Sequence, residues 1–311
     1  MMKSYNRPPL FSVVIPTYNR RDLLLRAVRS VIDQSFDDFE VIVVDDCGSD
    51  DSESHLQSMG DSRIRYVRLV ENAGAAAARN EGVRLAAGLW TCFLDSDDVW
   101  LKDRLGKLAS FIASHGNSER LVYWSSLYFD RGDEVLQLKP QSHPEPAFRL
   151  MTYLLCSDGL MQTSTLALAA DVARKHPFDE SMKIHDDYSF LLNLERAGYQ
   201  FAGDTDAQVV WKNDIQGPRV SLNGKMERNE KWLAMYGRWL SPKERSAYEA
   251  LFLAPKLGPR QFVRSVAMVV KAFARRAIGP RRAALSLMGL LMPRHLYESL
   301  ARRLLKSGGH S

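Results

Sequence analysis

FSVVIPTYNRRDLLLRAVRSVI, residues 11–32, decides the fold, because it reads as a strand handed directly to a helix. FSVVIP is a short β-branched apolar run ended by Pro16, the pattern of a buried strand. Leu23, Leu24, Ala27, Val28, Val31 and Ile32 then recur at helical spacing, with Asp22 placed to cap them. Outward from this unit, FEVIVV (39–44) is a second strand ending at Asp45 and Asp46, and RIRYVRLV (63–70) a third ending near Asn72. The alanine-rich stretch 75–87 predicts a helix and TCFL (91–94) a fourth strand. Strands alternating with helices require right-handed crossovers and a mostly parallel sheet covered on both faces, an α/β nucleotide-binding type of architecture.

Further along, a helix is expected over 101–115, a strand at LVYWSSLYF (121–129) and a loop or hairpin over 131–146. Another strand is expected near 163–168 and a helix from about Asp186. Beyond Lys225 the pattern is helical, and after Lys256 it is basic and amphipathic. The expected organisation is one domain over 1–224, with a nucleotide-binding half at about 11–100 and an acceptor half at about 101–224, followed by a helical basic region over 225–311.

Open parallel sheets bind ligands beyond the carboxyl ends of their strands. Here each of those ends carries polar residues: Thr17, Tyr18, Asn19 and Arg20; Asp45 and Asp46; Asn72 and Gly74; Asp95, Ser96, Asp97 and Asp98. FLDSDDVW (93–100) crowds three carboxylates into one turn, where repulsion raises their pKa values. A solvated turn, a divalent-cation site and an acid/base pair each accommodate it, and Asp98 taken alone reads as part of an N-cap cluster for a helix from Val99. Four polar strand ends converging on one rim favour a site.

With 45% hydrophobic and 25% charged residues the composition is that of an ordinary globular protein and names no function. The N-terminus lacks a secretory pattern, the longest late apolar run (283–292) is about half a bilayer span, and Cys47, Cys92 and Cys156 are odd in number without metal-ligand spacing. A cytoplasmic location and buried, structural thiols are therefore expected. His143, His176 and His185 form no zinc spacing. Charge is uneven: from Lys256 onward 12 Lys or Arg stand against the single acid Glu298, +11, while the remainder holds 30 basic and 36 acidic residues, −6.

Taken in order, PTYNR (16–20), VVDDCGSDD (43–51), NAGAAAARNEG (72–82), FLDSDD (93–98) and HDDYSFLLNLERAGY (185–199) resemble the inverting family 2 glycosyltransferases of GT-A fold, over roughly residues 11–215. Each motif is weak alone; the ordered set is specific. The resemblance implies that Asp97 ligates Mn²⁺ or Mg²⁺ against the diphosphate of a nucleotide sugar, with Asp95 and Ser96 facing ribose or a metal-bound water and Asp95 a second candidate ligand. Without metal, one of these acids should be hard to ionise. It implies that Asp45 accepts hydrogen bonds from the base, most often uracil, with Asp46 as its structural neighbour. Pro16, Thr17 and Tyr18 would border the nucleotide, and Arg20 would meet a phosphate or close the pocket. Arg79 matches a basic residue that contacts the nucleotide, its alternative being a helix-surface charge. The catalytic base falls on Asp187, in an acid pair where Asp186 replaces the family's usual Glu in a supporting role. WKNDIQGPRVS (211–221) offers Asn213 and Asp214 where some relatives place a metal-ligating His, so ligation from there is not expected.

The implied function is transfer of a sugar, most often from a UDP-sugar, to a glycan or lipid-linked acceptor in cell-surface polysaccharide assembly. Rival readings are a nucleotidyltransferase, which would want a glycine-rich phosphate loop after the first strand, and a nucleotide- or lipid-binding module with a decayed site. A glycoside hydrolase needs two carboxylates but no nucleotide-side residues. The basic tail interleaves Arg260, Arg264, Lys271, Arg275, Arg276, Arg281 and Arg282 with Phe262, Val266, Val269, Val270 and Phe273. It reads either as a peripheral membrane contact or as a packed helical pair with a solvated basic face. No nucleic-acid recognition module accompanies the charge.

Overall fold

The computed structural model of the chain describes residues 7–115, 120–130, 132, 135–140, 143–145, 148–212 and 226–292. The residues cluster into two compact units, Met1–Ala147 with Leu160–Gly217, and Phe148–Gly159 with Pro218–Ser311. Phe148–Gly159 thus groups with the C-terminal helices and not with the sheet.

In chain order the elements are β1 (Phe11–Thr17), α1 (Arg21–Ile32), β2 (Phe39–Asp45), α2 (Ser52–Ser58), β3 (Ile64–Arg68), α3 (Ala75–Leu85), β4 (Trp90–Phe93) and β5 (Val99–Trp100). There follow α4 (Arg104–Ser114), β6 (Leu121–Asp130), β7 (Leu136–Lys139), α5 (Leu150–Cys156), β8 (Ala167–Ala169), α6 (Ala170–Lys175), α7 (Asp186–Arg196) and β9 (Gln200–Lys212). The second unit adds α8 (Met226–Tyr236), α9 (Pro242–Tyr248), α10 (Phe262–Ala274) and α11 (Pro280–Leu291) to α5.

The first unit is built on one mixed sheet of order β3-β2-β1-β4-β8-β6-β9-β5, with β7 hairpinned onto β6. β1 lies parallel between β2 and β4 and all seven of its residues are buried, as a central parallel strand covered on both faces must be. The pleat sends Val13 and Ile15 to one face, where α1 supplies Leu24, Ala27, Val28 and Val31. On the other face Ile42 and Val44 of β2 meet Ala78 of α3. Gly82 lets α3 come down onto β1, for a side chain there would collide with Val14. Register aligns Thr17 with Asp45, so the polar ends of β1 and β2 emerge together. β3 and β4 flank this pair from opposite sides, and the connection through α3 carries the chain from one to the other, so the strand order reverses between β1 and β4, the place where open sheets of this kind take ligands.

Two local expectations are corrected. Asp22 does not cap α1: it lies in the first turn and pairs with Arg21, while the Asp50 carboxylate, from the loop after β2, accepts the Arg21 N–H at 2.9 Å. Asp50 outcompetes Asp22 because its own loop is held by Ser52, whose N–H and Oγ both donate to it. Of the thiols only Cys92 is fully buried, with its pKa pushed up to about 12 by desolvation; Cys156 is half-buried and raised to about 11, and Cys47 is half-buried. Among the described residues no helix is long and apolar enough to cross a membrane.

Candidate active site

The three crowded carboxylates have three different environments. Asp98 is fully buried, accepting hydrogen bonds from Ser164 Oγ at 2.6 Å and from Gln162 Nε2. Burial, then the charges of Asp95 and Asp97, push its pKa well above the carboxylate range, so Asp98 is the acid that resists ionisation. The expected N-cap role is corrected: Val99–Trp100 is a strand paired to β9, because Trp100 is drawn inward to donate its indole N–H to Ser164 O, and the next helix starts only at Arg104. The linkage has a definite sign. A raised folded-state pKa favours the protonated acid, so Asp98 costs stability increasingly as pH climbs above its unfolded value near ~4. Asp98→Asn, whose amide oxygen still accepts from Ser164 and Gln162, is expected to melt several degrees higher than the parent at pH 8, with the gap closing toward pH 4; thermal melts across that range check it.

Asp95 and Asp97 face outward from the same turn and are each matched by a guanidinium. Asp97 pairs with Arg20 Nη1 at 3.2 Å, and its carbonyl accepts from Arg26 at 2.8 Å. Asp95 pairs with Arg79 Nη2 at 2.6 Å while its N–H donates to Ser164 Oγ at 2.9 Å. Ser96 between them is buried.

Asp45 and Asp46, also buried, hold the neighbouring loops. Asp45 accepts from the Tyr66 hydroxyl at 2.6 Å and the Gly48 N–H at 2.8 Å; a Cβ on Gly48 would press on that same carboxylate oxygen. Asp46 accepts from the N–H groups of Ala73 and Gly74 at 2.7 and 2.8 Å, anchoring the turn into α3. Gly74 enters that turn at φ +100°, a left-handed conformation that glycine adopts without Cβ strain. Asp46 therefore positions α3, and α3 carries Arg79. Pro16 and Thr17 are buried at the end of β1 and Tyr18 stands exposed on the rim. Thr17 Oγ1 is buried with no hydrogen-bond partner among the described residues. Asn19, at φ +50°, accepts the Ser49 N–H at 2.6 Å and so ties the β1 loop to the β2 loop.

Arg79 joins the two acidic segments. Only 6% exposed, it is not the surface charge its helix position allowed: Nη2 binds Asp95 and Nη1 binds Asp186, each at 2.6 Å, joining residues that lie far apart in sequence. Its guanidinium lies 5.3 Å from the Phe178 ring, which stacks on Phe190 and meets Phe93 edge-on. That aromatic floor fixes the cation and excludes water beneath it. The cost of burying the guanidinium is offset by the two carboxylates, which hold it firmly protonated.

Asp186 and Asp187 open α7 directly after His185, whose φ of +56° breaks the chain direction and presents the pair at the helix N-terminus. Asp187 accepts the Tyr188 N–H at 2.8 Å. Desolvation, followed by the adjacent Asp186 charge, raises its pKa to about 7, against the opposing pull of Arg79. A carboxylate that gains and loses its proton near neutrality has the affinity a general base needs. Two surface hollows of about 290 and 370 Å³ lie elsewhere, one at Arg120, Asp171 and Tyr199, the other along α3 at Leu69, Ala77 and Glu180; neither is lined by Asp95, Asp97 or Asp187.

A divalent cation suits this donor set. Among the described residues no three metal-ligating side chains form a protein-only cage. Mg²⁺ and Mn²⁺ bound with a nucleotide instead take one or two carboxylates and complete their shell with phosphate oxygens and water. Asp97 and Asp95 are the two carboxylates of one turn that would supply such ligands. His143 is not a candidate, since it stacks on Trp124 and meets Ser126 at 2.7 Å. The 213–221 segment, with Asn213 and Asp214, lies outside the described residues.

Ser164, Gln162, Tyr66 and Asp50 support the site and were not singled out from sequence. Asp50 alone had a signal, its place in VVDDCGSDD; the others act across the fold and have no local pattern.

Residues 12–154 match the model of glycosyl transferase family 2. The UDP-Glc:alpha-D-GlcNAc-diphosphoundecaprenol beta-1,3-glucosyltransferase WfaP of Escherichia coli is 32% identical over 189 residues, 61% of this chain and 71% of that protein. The amylovoran biosynthesis glycosyltransferase AmsB of Erwinia amylovora is 33% identical over 201 residues, 61% of this chain and 65% of that protein. The chain belongs to glycosyltransferase family 2. It spans 65%, 43% and 47% of the lengths of the first three curated relatives it matches. Among solved structures, Staphylococcus aureus TarS 1–349 in complex with UDP-GlcNAc superposes with a TM-score of 0.62 at 18% identity, covering 97% of this chain and 93% of that one. The mannosyltransferase PcManGT of Pyrobaculum calidifontis, in complex with GDP-Man and Mn²⁺, gives 0.56 at 17% identity, covering 95% and 84%. The fold is GT-A, with the mostly parallel sheet and flanking helices expected from the sequence.

Proposed function

We propose that the protein is an inverting glycosyltransferase that moves a sugar from a nucleotide-diphosphate sugar, a UDP-sugar in the first instance, to a glycan or lipid-linked acceptor in cell-surface polysaccharide biosynthesis. The observation that carries this reading is the Arg79 bridge, because it puts the Asp95–Asp97 turn and the Asp186–Asp187 pair around one buried guanidinium. Donor-side and base-side groups are thereby held at one place.

In this reading the donor lies over the β1, β2 and β4 ends, with its base near Asp45, Thr17 and Tyr18 and its diphosphate near Arg20 and Asp97. The buried Thr17 Oγ1 and Arg79 Nε, both without partners among the described residues, are polar atoms left for a ligand. Asp95 and Asp97 would hold the divalent cation, which when bound neutralises charge growing on the departing diphosphate. Asp187 takes the proton of the acceptor hydroxyl. The acceptor oxygen forms its bond to the anomeric carbon from the face opposite the diphosphate, whose C–O bond breaks with the electron pair leaving on the nucleoside diphosphate. Asp186, fixed by Arg79, keeps a negative charge beside Asp187 and so raises its proton affinity. UDP-GlcNAc in one structural neighbour, GDP-Man in another and the lipid-linked acceptor in the WfaP name support the substrate classes by analogy.

The test is a panel of nucleotide sugars with and without Mn²⁺. The correct donor is expected to raise the melting temperature only with metal, because a ligand that binds the folded state stabilises it by mass action. Its slow hydrolysis is expected to be stimulated by Mn²⁺ and reduced about 10²-fold or more in Asp97→Ala. Absence of metal-dependent turnover with every nucleotide sugar would count against the proposal.

A further inference from the structure

The second unit contains a helix with its apolar side turned outward. α10 buries Ser265, Val269 and Ala272. Val263, Val270 and Phe273 are instead 81%, 52% and 49% exposed. At roughly 100° per residue, Val263, Ala267, Val270 and Ala274 form one line along the helix, and Phe262, Val266 and Phe273 widen it on one side. Arg264, Lys271 and Arg275 border the other side, and no charged residue interrupts the line. The sequence left open a membrane contact or a packed helical pair with a solvated basic face; the outermost surface of α10 is aliphatic, with the basic residues on its flank. A contiguous exposed apolar strip of this kind marks an interaction surface.

Charge identifies what covers it. Residues 256–292 include eight Lys or Arg and no Asp or Glu. From outside that stretch Glu249 reaches Lys271 at 3.1 Å and Asp158 reaches Arg282 at 2.7 Å, while Arg275 donates to the uncharged Pro242 O and Ser246 Oγ, so neutralisation is partial. A second copy would set like charge against like charge. Nucleic acid would meet the charge and leave the valines in water. An anionic bilayer satisfies both, with acyl chains for the strip and acidic headgroups for its basic border.

We propose that α10 is the docking surface of this protein on an anionic lipid membrane, lying flat in the headgroup boundary with Val263, Val270 and Phe273 inserted. No active-site residue takes part, so the proposal stands or falls independently of the transfer chemistry.

The test is cosedimentation of the full 311-residue chain with phosphatidylcholine vesicles with and without phosphatidylglycerol. Binding is expected to be about tenfold or more tighter with phosphatidylglycerol and to weaken as salt rises. Val263→Asp with Val270→Asp is expected to lower it about tenfold at an unchanged melting temperature, and Val263→Trp with Val270→Trp to raise it. Three results would overturn the proposal: no preference for the anionic vesicles, aspartate and tryptophan variants that bind like the parent, or a concentration-dependent dimer or nucleic-acid complex lost in the aspartate variant while vesicle binding is absent.

Discussion

Asp187→Asn is expected to lower sugar transfer to an acceptor alcohol by about 10²–10⁴-fold, the range a positioned general base supplies, while leaving the donor-induced thermal shift intact. The asparagine keeps the size and the hydrogen bond from Tyr188 but cannot accept the hydroxyl proton. The parent's kcat/KM should fall as pH drops below about 7, because protonated Asp187 is no base, and that acidic limb should vanish from the residual activity of the variant. Stability should move oppositely. The raised pKa means that the folded state holds its proton more tightly than the unfolded chain, so this carboxylate costs stability progressively as pH rises from ~4 toward about 7. The variant should therefore be the more stable protein at pH 8. Initial rates and melts across pH 5–9 check both trends; a variant that transfers at the parent rate would show that the proton goes elsewhere.

Arg79→Gln is the second large effect. Removing a buried cation leaves Asp95 and Asp186 facing each other uncompensated, a change that costs about 3–5 kcal/mol when one partner of a buried ion pair is lost. Transfer should fall with it, since both the Asp95 side and the base pair lose their common support. Neutralising the two acids as well, with Asp95→Asn and Asp186→Asn in the Arg79→Gln background, should recover a substantial part of the stability and none of the activity. Denaturant titrations of the single and triple variants separate these terms. Equal stability of Arg79→Gln and the parent would show that the bridge contributes nothing.

The parts of the fold legible in sequence are those whose signal is local. β1, β2 and β4 are covered on both faces and so read as near-continuous apolar runs, broken by Ser12, Glu40 and Thr91, and α3 declares itself by its alanines. β9 could not be read this way: QFAGDTDAQVVWK is half polar, and it becomes a thirteen-residue strand because β6 pairs with both of its ends, across an irregularity at Ser125–Leu127. β5 is two residues long and exists only through its pairing with β9. The acids of the site were visible as motifs, yet their division of labour was not. What makes Asp98 a buried, proton-retaining acid is Ser164 and Gln162, some 65 residues further along. What joins Asp95 to Asp186 is an arginine that its own helix pattern leaves equally able to face solvent. Such contacts belong to the tertiary fold, and no spacing rule within one segment encodes them.

A crystal structure with UDP and Mn²⁺ bears most directly on the sharing of one cleft by the Asp95–Asp97 turn and Asp187. The expected result is a diphosphate beside Asp97 with the metal between them, uracil near Asp45, and the Asp187 carboxylate facing the space where the sugar would sit. Nucleotide bound elsewhere, such as in the hollow along α3 at Leu69, Ala77 and Glu180, with Asp187 remote from its phosphates, would contradict it.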